Sequence, residues 1–442
     1  MNFRTETSGT RSPLGPTFSV NTIIGRTAKL VAAGLGALMV GLPVSVGAQA
    51  TPEPALGAVV IQVEETVGIR RNFYPVNVRI PFAQGALEEA GRTRLVEVVG
   101  DDEVAAQVTV ASRWPDGSIQ WLQVDFNASL GPEESSAFRF EYGRGVTAGA
   151  DGGRGLALIE EAEAVQVGRV RLGKTASPLV RSVAYRDEAI APGSNGFVVT
   201  DTDGDLYELG GAAVAFEIVR SGPVYVELRY TGLVRLGDGA TLPFVVTVEM
   251  PNSKSWVKAT AVVEDPDRRL SALAFHSPLA LGPYPWVWDF GTDRWTYGAL
   301  RNEDSSVILR NEVAIAGVTR WWVDTGPLGQ ERHYETNGST TPTLPGWGHL
   351  QGETEVVAFA VDRFAASAGT YSITLDGSGQ TAFQVAPAEA VTRHALTVYQ
   401  HFVSNPVQIG AATSPPSMLQ PLVVTVDQQQ YTVSGVVPPP DS

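Results

Sequence analysis

The sequence predicts an all-β protein, in which a small β-barrel is followed by a large antiparallel β-sandwich. Short segments with alternating or β-branched and aromatic residues fill most of the chain and end at Gly, Pro, Asp or Asn; examples are VNVRIPF (76–82), SIQWLQVDF (118–126) and FVVTVEM (244–250). Only GALEEAG (85–91) and ALIEEAEAV (157–165) have a helical pattern. The chain has no cysteine, so a large packed core must stabilise it without disulfides.

Residues 1–50 have the pattern of a secretory signal peptide. Arg26 and Lys29 precede the apolar run LVAAGLGALMVGLPVSV (30–46), and Ala-Gln-Ala (48–50) follows as an A-x-A cleavage site. We expect cleavage after this site and a secreted or periplasmic protein. The alternative is a retained membrane anchor, but the Gly and Pro residues in the run and the lack of a cationic flank after it favour cleavage.

The charge balance argues against several classes of partner. The formal net charge is −15. Loss of residues 1–50 removes four cations and one anion, so the expected mature charge is about −18. Such a surface repels nucleic acid and anionic membranes. An anionic ligand would need a local cluster of Arg, whose planar guanidinium forms two parallel hydrogen bonds with a carboxylate.

Composition also predicts the domain organisation. After the signal peptide, residues 51–142 are long enough for one small barrel, and the Gly-rich residues 143–155 read as a linker. Residues 156–410 are expected to form the sandwich. Residues 411–442 are rich in Pro, Ser and Gln and are expected to be a tail.

The stretch RWPDGSIQWLQVDF (113–126) is the most distinctive of the chain. Pro115, Asp116 and Gly117 predict a tight turn, because Pro restricts φ and Gly accepts the left-handed region. Trp114 and Trp121 stand on either side of it. Taken singly, these residues are most simply interpreted as a core hairpin.

Taken together, the surrounding residues resemble a known family. IPFAQGAL (80–87) and residues 94–143 are similar to the N-terminal RIFT-barrel domain of the exo-rhamnogalacturonan lyases, with matching positions at Pro81, Phe82, Gly85, Leu87, Gln107 and Trp114 through Trp121. Residues 217–232, 244–266, 345–364 and 390–402 resemble strands of the family's central β-sandwich. The resemblance covers roughly residues 60–425.

The resemblance implies an exported, carbohydrate-active protein that binds pectic or other acidic glycan. Family members continue into a C-terminal α/α toroid, to which much of the catalytic apparatus belongs, and the sequence has no segment similar to it. We therefore expect binding without catalysis, and a separate α/α-toroid subunit as a partner. The alternatives are an autonomous polysaccharide lyase and a non-catalytic extracellular structural or adhesion protein.

Residues 320–349 are the best candidate for a lyase site. β-Elimination at a uronic acid needs a cation for the carboxylate, a base and an acid. The candidate catalytic residues of this segment are Arg332, His333, Tyr334 and His349. The candidate substrate-binding residues are Arg320, Trp321, Trp322 and Trp347, whose rings could stack on sugars.

A second aromatic segment is YPWVWDFGTDRWTY (284–297). Trp286, Trp288 and Phe290 share one face of a strand and are more simply explained as core residues. Trp295, beside Arg294, is the expected exposed member, and both are candidate substrate-binding residues.

No metal or other cofactor is expected. Asp201, Asp203 and Asp205 alternate as Ca²⁺ ligands would, but Gly204 falls too early for an EF-hand loop, so a hairpin tip explains them better. Calcium remains the alternative. The isolated residues His276, His394 and His401 lie on apolar strands and are expected to be structural.

Overall fold

The computed structural model describes residues 56–147, 155–185, 188–189, 195–254, 256–292, 295–313, 319–329, 331–335, 346–364, 369–404 and 414–436. The predicted signal peptide and most of the predicted linker lie outside these ranges. The described residues all belong to one compact unit.

The N-terminal region forms seven strands: β1 (Gly57–Glu64), β2 (Arg71–Pro81), β3 (Thr93–Glu97), β4 (Glu103–Val104), β5 (Ala106–Arg113), β6 (Ile119–Leu130) and β7 (Ser135–Tyr142). A small antiparallel sheet follows: β8 (Leu158–Glu160), β9 (Ala164–Val167), β10 (Val170–Gly173), β11 (Val180–Tyr185) and β12 (Glu188–Ala189).

Two large sheets form the sandwich. The eight-stranded sheet contains β13 (Gly196–Asp201), β14 (Leu206–Glu208), β19 (Leu270–Pro278), β22 (Ser306–Val313), β23 (Thr319–Thr325), β24 (Glu331–Glu335), β27 (Gly369–Asp376) and β28 (Gln380–Pro387). The nine-stranded sheet contains β15 (Ala215–Ser221), β16 (Tyr225–Arg235), β17 (Thr241–Pro251), β18 (Trp256–Glu264), β20 (Trp286–Gly291), β21 (Trp295–Leu300), β25 (Trp347–Gln351), β26 (Glu355–Val361) and β29 (Arg393–Ser404).

The C-terminal segment is structured. It forms helix α1 (Ser414–Leu419), strand β30 (Val423–Val426) and helix α2 (Gln428–Ser434). Strand β30 pairs with β1, so the first sheet has the order β30-β1-β7-β3-β4, next to a three-stranded sheet β2-β6-β5. Within the expected tail, β30 thus belongs to an N-terminal sheet, and Met418 and Leu422 join the core cluster under these sheets.

The prediction of an all-β protein is confirmed. Its finer part is corrected, because the two N-terminal sheets keep separate edges and the described residues close no barrel. Both helical predictions were also wrong. Residues 85–91 form turns, and residues 157–165 contain β8 and the start of β9, where pairing with β10 buries Val165 and overrides local propensity.

Period-two alternation explains where the core lies. In β17, Leu242, Phe244, Val246 and Val248 are buried, and the residues between them face outward. Apolar residues from both large sheets join in one cluster. A second cluster lies under the N-terminal sheets and includes Trp256 of the nine-stranded sheet.

Gln107 of β5 is a polar joint between the N-terminal region and the sandwich. Its side-chain oxygen accepts the backbone N–H groups of Val224 and Tyr225 at 3.0 and 2.9 Å, and its amide donates to the carbonyl of Tyr225 at 3.0 Å. Gly222 permits this approach, because a Cβ there would lie 2.4 Å from the Gln107 amide carbon.

Replacement of Gln107 by Ala should therefore destabilise the protein. It leaves buried backbone groups at residues 224 and 225 without partners, at a cost of about 1–3 kcal/mol. Urea unfolding should show a lower midpoint for Gln107→Ala. The matched control is Gln62→Ala on β1, whose side chain is exposed; equal midpoints for the two variants would contradict the role of Gln107.

Candidate functional site

The predicted catalytic residue His333 lies in a cleft at the edge of the sandwich. The cleft has a volume of about 500 Å³ and is bordered by Arg301, Asn302 and Asp304. The exposed imidazole packs edge-on against Trp288, with ring centroids 5.4 Å apart. The register explains its position: Val323 pairs with Tyr334 and Asp324 with Arg332, so His333 is the extra residue of a β-bulge.

Tyr334 does not share this cleft's polar surroundings. Its ring packs against Trp321 at a centroid distance of 4.9 Å and against the sandwich core. Trp321 itself is 2% exposed. These two rings fill the interior, and the indole of Trp321 offers no surface to a ligand.

His349 lies on the other side of strand β20. Its Nδ1 is 2.8 Å from Asp289 Oδ1, which also accepts the His349 backbone N–H at 2.9 Å. The Trp347 ring lies edge-on to the imidazole at 5.9 Å. Because Asp289 follows Trp288 in the strand, their side chains point to opposite faces, and His333 and His349 do not meet.

The remaining predicted residues divide into two groups. Arg320 and Trp322 lie on the outward face of β23, the former exposed and the latter half-buried. Arg294 lies outside the described residues, and for Trp295 and Arg332 only the backbone is described. Trp286, Trp288 and Phe290 are buried in the core, as the simpler interpretation has it.

A different groove has the features of a ligand site. It has a volume of about 1160 Å³ and lies between edge strand β2 and edge strand β30, with α2 along it. Trp121 and Tyr431 form its aromatic wall, with ring centroids 6.2 Å apart and planes inclined by 60°. We call it the Trp121–Tyr431 groove. Its polar lining residues are Asn77, Arg79, Ser112, Thr425, Gln428 and Thr432.

The alternation of β6 places Trp121 in this groove. Leu122, Val124 and Phe126 point into the core and are fully buried, so Trp121 and Gln123 point to the opposite face of the sheet. Gln123 accepts a hydrogen bond from Arg79 Nε at 3.1 Å. This bond holds the exposed Arg79 guanidinium on the same face of the sheet as the Trp121 indole.

The groove's other wall depends on how the C-terminal segment is held. The Gln430 amide donates to the Pro81 carbonyl at 2.6 Å. Arg71 donates to the carbonyls of Ser417 and Gln420, and the Tyr74 hydroxyl donates to Ser417 at 2.6 Å. The contacts of Arg71 and Tyr74 reach backbone carbonyls of the segment and so do not depend on its side chains, whereas the contact with Pro81 uses the side chain of Gln430.

Arg71 is fixed in turn by Glu65. The two side chains are 3.2 Å apart and 1% and 0% exposed. Burial disfavours the charged carboxylate, but backbone N–H groups, including those of Glu133 and Val67, and the Arg71 guanidinium outweigh it and lower the pKa of Glu65 to about 2. Glu65 therefore stays ionised and keeps Arg71 in place.

Sequence reasoning missed most of this site. The period-two pattern of β6 already placed Trp121 opposite the core residues, and this signal could have identified it. Tyr431 carried no such signal, because it lies in a segment with no long periodic pattern. Its position follows from the pairing of β30 with β1.

The aspartates considered for calcium form a hairpin tip. Asp201 Oδ1 accepts the backbone N–H groups of Asp203 and Asp205, and Oδ2 accepts the Tyr207 hydroxyl. In the described part of the chain, no group of three or more His, Asp or Glu is placed to hold a metal ion. No described helix is long and apolar enough to cross a membrane.

Comparison with known proteins shows the fold. No family model matches the chain, and no curated protein matches it. An alpha-mannosidase from Enterococcus faecalis V583 is similar in structure, with a TM-score of 0.51, 11% identity, and coverage of 84% of this chain and 46% of that chain. A glycosyl hydrolase family 38 protein from Enterococcus faecalis has a TM-score of 0.48, 10% identity, and coverage of 84% and 48%.

A galactose mutarotase-like protein from Lactobacillus casei ATCC 334 has a TM-score of 0.32, 9% identity, and coverage of 56% of this chain and 100% of its own. The chain spans about half the length of the two Enterococcus proteins. At these identities the likeness is one of fold, a β-rich fold found in a carbohydrate-active enzyme. None of these matched proteins is described as an exo-rhamnogalacturonan lyase, so the resemblance to that family stays a prediction.

The pKa of Glu65 predicts how stability depends on pH. A carboxylate with a pKa of about 2 when folded and about 4.5 when unfolded stabilises the fold above pH 4.5, by roughly 3 kcal/mol. This contribution is lost as the pH falls from 4.5 to 2. Urea unfolding of Glu65→Gln should show lower stability at pH 7 and a weaker loss on acidification than the wild type.

The matched control is Glu64→Gln, the exposed neighbour on β1. It should keep the wild-type acid profile. If Glu65→Gln followed the wild-type profile too, the Glu65–Arg71 pair would not be the source of acid sensitivity.

Proposed function

We propose that this protein binds a polysaccharide or oligosaccharide in the Trp121–Tyr431 groove and that it does so without catalysis of its own. The observation that supports this best is the pair of half-buried aromatic rings on the wall of an open groove. Aromatic ring faces pack on the apolar faces of pyranoses, and Asn77, Arg79 and Ser112 offer hydrogen-bond partners for hydroxyls.

The shape of the groove suits a chain ligand. A volume of about 1160 Å³ is larger than the pockets that enclose one small molecule. The groove also lies on the surface between two sheet edges, so a polymer could enter and leave at its ends. An oligosaccharide of several residues is therefore favoured over a single sugar.

Acidic, pectin-type glycans are the first ligands to test. The resemblance to exo-rhamnogalacturonan lyases supports this class, and Arg79 supplies a cation in a protein whose net charge is −15. Export through the predicted signal peptide would bring the protein to such glycans. The structural neighbours give no support to a separate α/α-toroid subunit.

Removal of the aromatic wall should weaken glycan binding. Trp121→Ala and Tyr431→Ala each remove stacking area from the centre of the site, and we expect affinity about tenfold lower in each variant. Affinity electrophoresis in gels that contain rhamnogalacturonan or homogalacturonan measures this as lost retardation.

Tyr297→Ala is the matched control, because this tyrosine is 71% exposed on strand β21, outside the groove. It should be retarded like the wild type. A wild type that no polysaccharide retards would contradict the proposal and favour a structural or adhesion role.

The lyase alternative is favoured by one observation, the cleft that holds His333. A base there would have Arg301 for a substrate carboxylate and Asp304 as a second titratable group. The two functions differ in product. Binding alone forms no unsaturated uronate. A lyase forms this product, which is detected by its ultraviolet absorbance, and His333→Ala should abolish its formation. Absence of that absorbance with every pectic substrate would exclude the lyase.

A further inference from the structure

The outward face of the eight-stranded sheet carries a straight polar row. Arg310 of β22 pairs with Trp322 of β23 and with Ser372 of β27, and Ser372 pairs with Gln384 of β28. Directly paired residues of an antiparallel sheet point to the same face. We call Trp322, Arg310, Ser372 and Gln384 the Arg310 face.

The residues one position along explain why this row faces outward. Val323, Leu309, Ile373 and Phe383 are paired across the same four strands and are 0–1% exposed in the sandwich core. Because side chains alternate along each strand, burial of these four forces their neighbours to the other face. The core residues below thus fix the face to which the row points.

Arg310 differs from the paired arginines of this chain. Arg71, Arg139 and Arg220 each contact a carboxylate within 3.2 Å. The described residues give Arg310 no such ion pair, and its side chain is half-buried. Its direct cross-strand partners, Trp322 and Ser372, are uncharged.

A second arginine on this face is already engaged. Arg320 stands opposite Glu312 in the register and interacts within the chain. Among the side chains of this face that the structure describes, Arg310 is the cation that remains for an external anion. A half-buried guanidinium without a carboxylate favours a bound anion, because charge-assisted hydrogen bonds offset its partial desolvation.

The dimensions suit a short oligosaccharide. A hollow of about 480 Å³ lies along the row and extends to Thr370 and Thr374. Four strands span about 14 Å at the usual separation of 4.8 Å. An indole stands at one end for the apolar face of a sugar, and hydroxyl and amide groups stand at the other for sugar hydroxyls.

We infer that the Arg310 face is a second glycan site, in which Arg310 binds the carboxylate of a uronic acid residue. The inference rests on the proposed glycan-binding function for its ligand class, but it concerns another sheet and other residues. It assigns most of the selectivity for acidic sugar to the half-buried Arg310, whereas the Trp121–Tyr431 groove, whose Arg79 is exposed, mainly supplies stacking area for the glycan chain.

The test compares an oligogalacturonate with its fully methyl-esterified form, which keeps the sugar rings and loses the charge. Titration calorimetry with the full chain would measure both ligands on wild type, Arg310→Gln, Trp322→Ala and Trp121→Ala. Arg235→Gln is the matched control, an exposed arginine on β16 of the other large sheet. Thermal unfolding of each variant confirms that it is folded.

We expect Arg310→Gln to bind the oligogalacturonate roughly tenfold to a hundredfold more weakly and the methyl ester as the wild type does, since a charge-assisted hydrogen bond is lost. Trp322→Ala should weaken both ligands, and Arg235→Gln neither. Higher ionic strength should weaken only the acidic ligand.

Unchanged binding of the oligogalacturonate by Arg310→Gln would overturn the inference. If Trp121→Ala still lost both ligands in that case, the proposed function would stand with the groove as its only site. If the wild type bound neither ligand, the inference and the proposed function would both fail.

Discussion

The pairing of β30 with β1 is the contact on which the proposed groove depends. Ile61 to Glu64 of β1 pair with Val423 to Val426, so the end of the described chain returns to its beginning. Without this pairing Tyr431 would have no fixed position. The buried Glu65–Arg71 pair secures it, because Arg71 donates to the backbone carbonyls of Ser417 in α1 and of Gln420 just after this helix, shortly before β30 begins. Removing one member of such a pair would leave the other charge buried without its partner.

A second polar cluster joins the N-terminal sheets to the sandwich. Arg220 contacts Asp125 and Glu227, each at 2.7 Å, and stacks on the Tyr225 ring. Burial raises the pKa of Asp125, while the Arg220 guanidinium opposes the rise. One oxygen of Asp125 lacks a hydrogen-bond partner among the described atoms. These contacts fix how the N-terminal sheets, which carry the groove, pack against the sandwich.

The positions of Trp121 and Arg310, on the two proposed binding surfaces, both follow from the alternation of side chains along a strand. In a strand, the residue that fills the core fixes its neighbour on the opposite face. Leu122 fixes Trp121 in this way, and Leu309 fixes Arg310. Trp121 and Arg310 are therefore placed by regular strands, whereas His333 stands at a bulge and Tyr431 on helix α2.

The sequence by itself determined the strand-rich class, because period-two alternation in segments such as β6 and β17 is a local property. It also predicted that Trp286, Trp288 and Phe290 share a buried face. It could not show which strands are neighbours, so residues 320–349 looked like one site, although His333, Trp322 and His349 lie on three different surfaces. Only the tertiary structure decided that Arg310 stands between Trp322 and Ser372, and that Tyr431 meets Trp121 across about 300 residues. The physical reason is that strand pairing joins segments far apart in the chain, and its register depends on burial across the whole sheet.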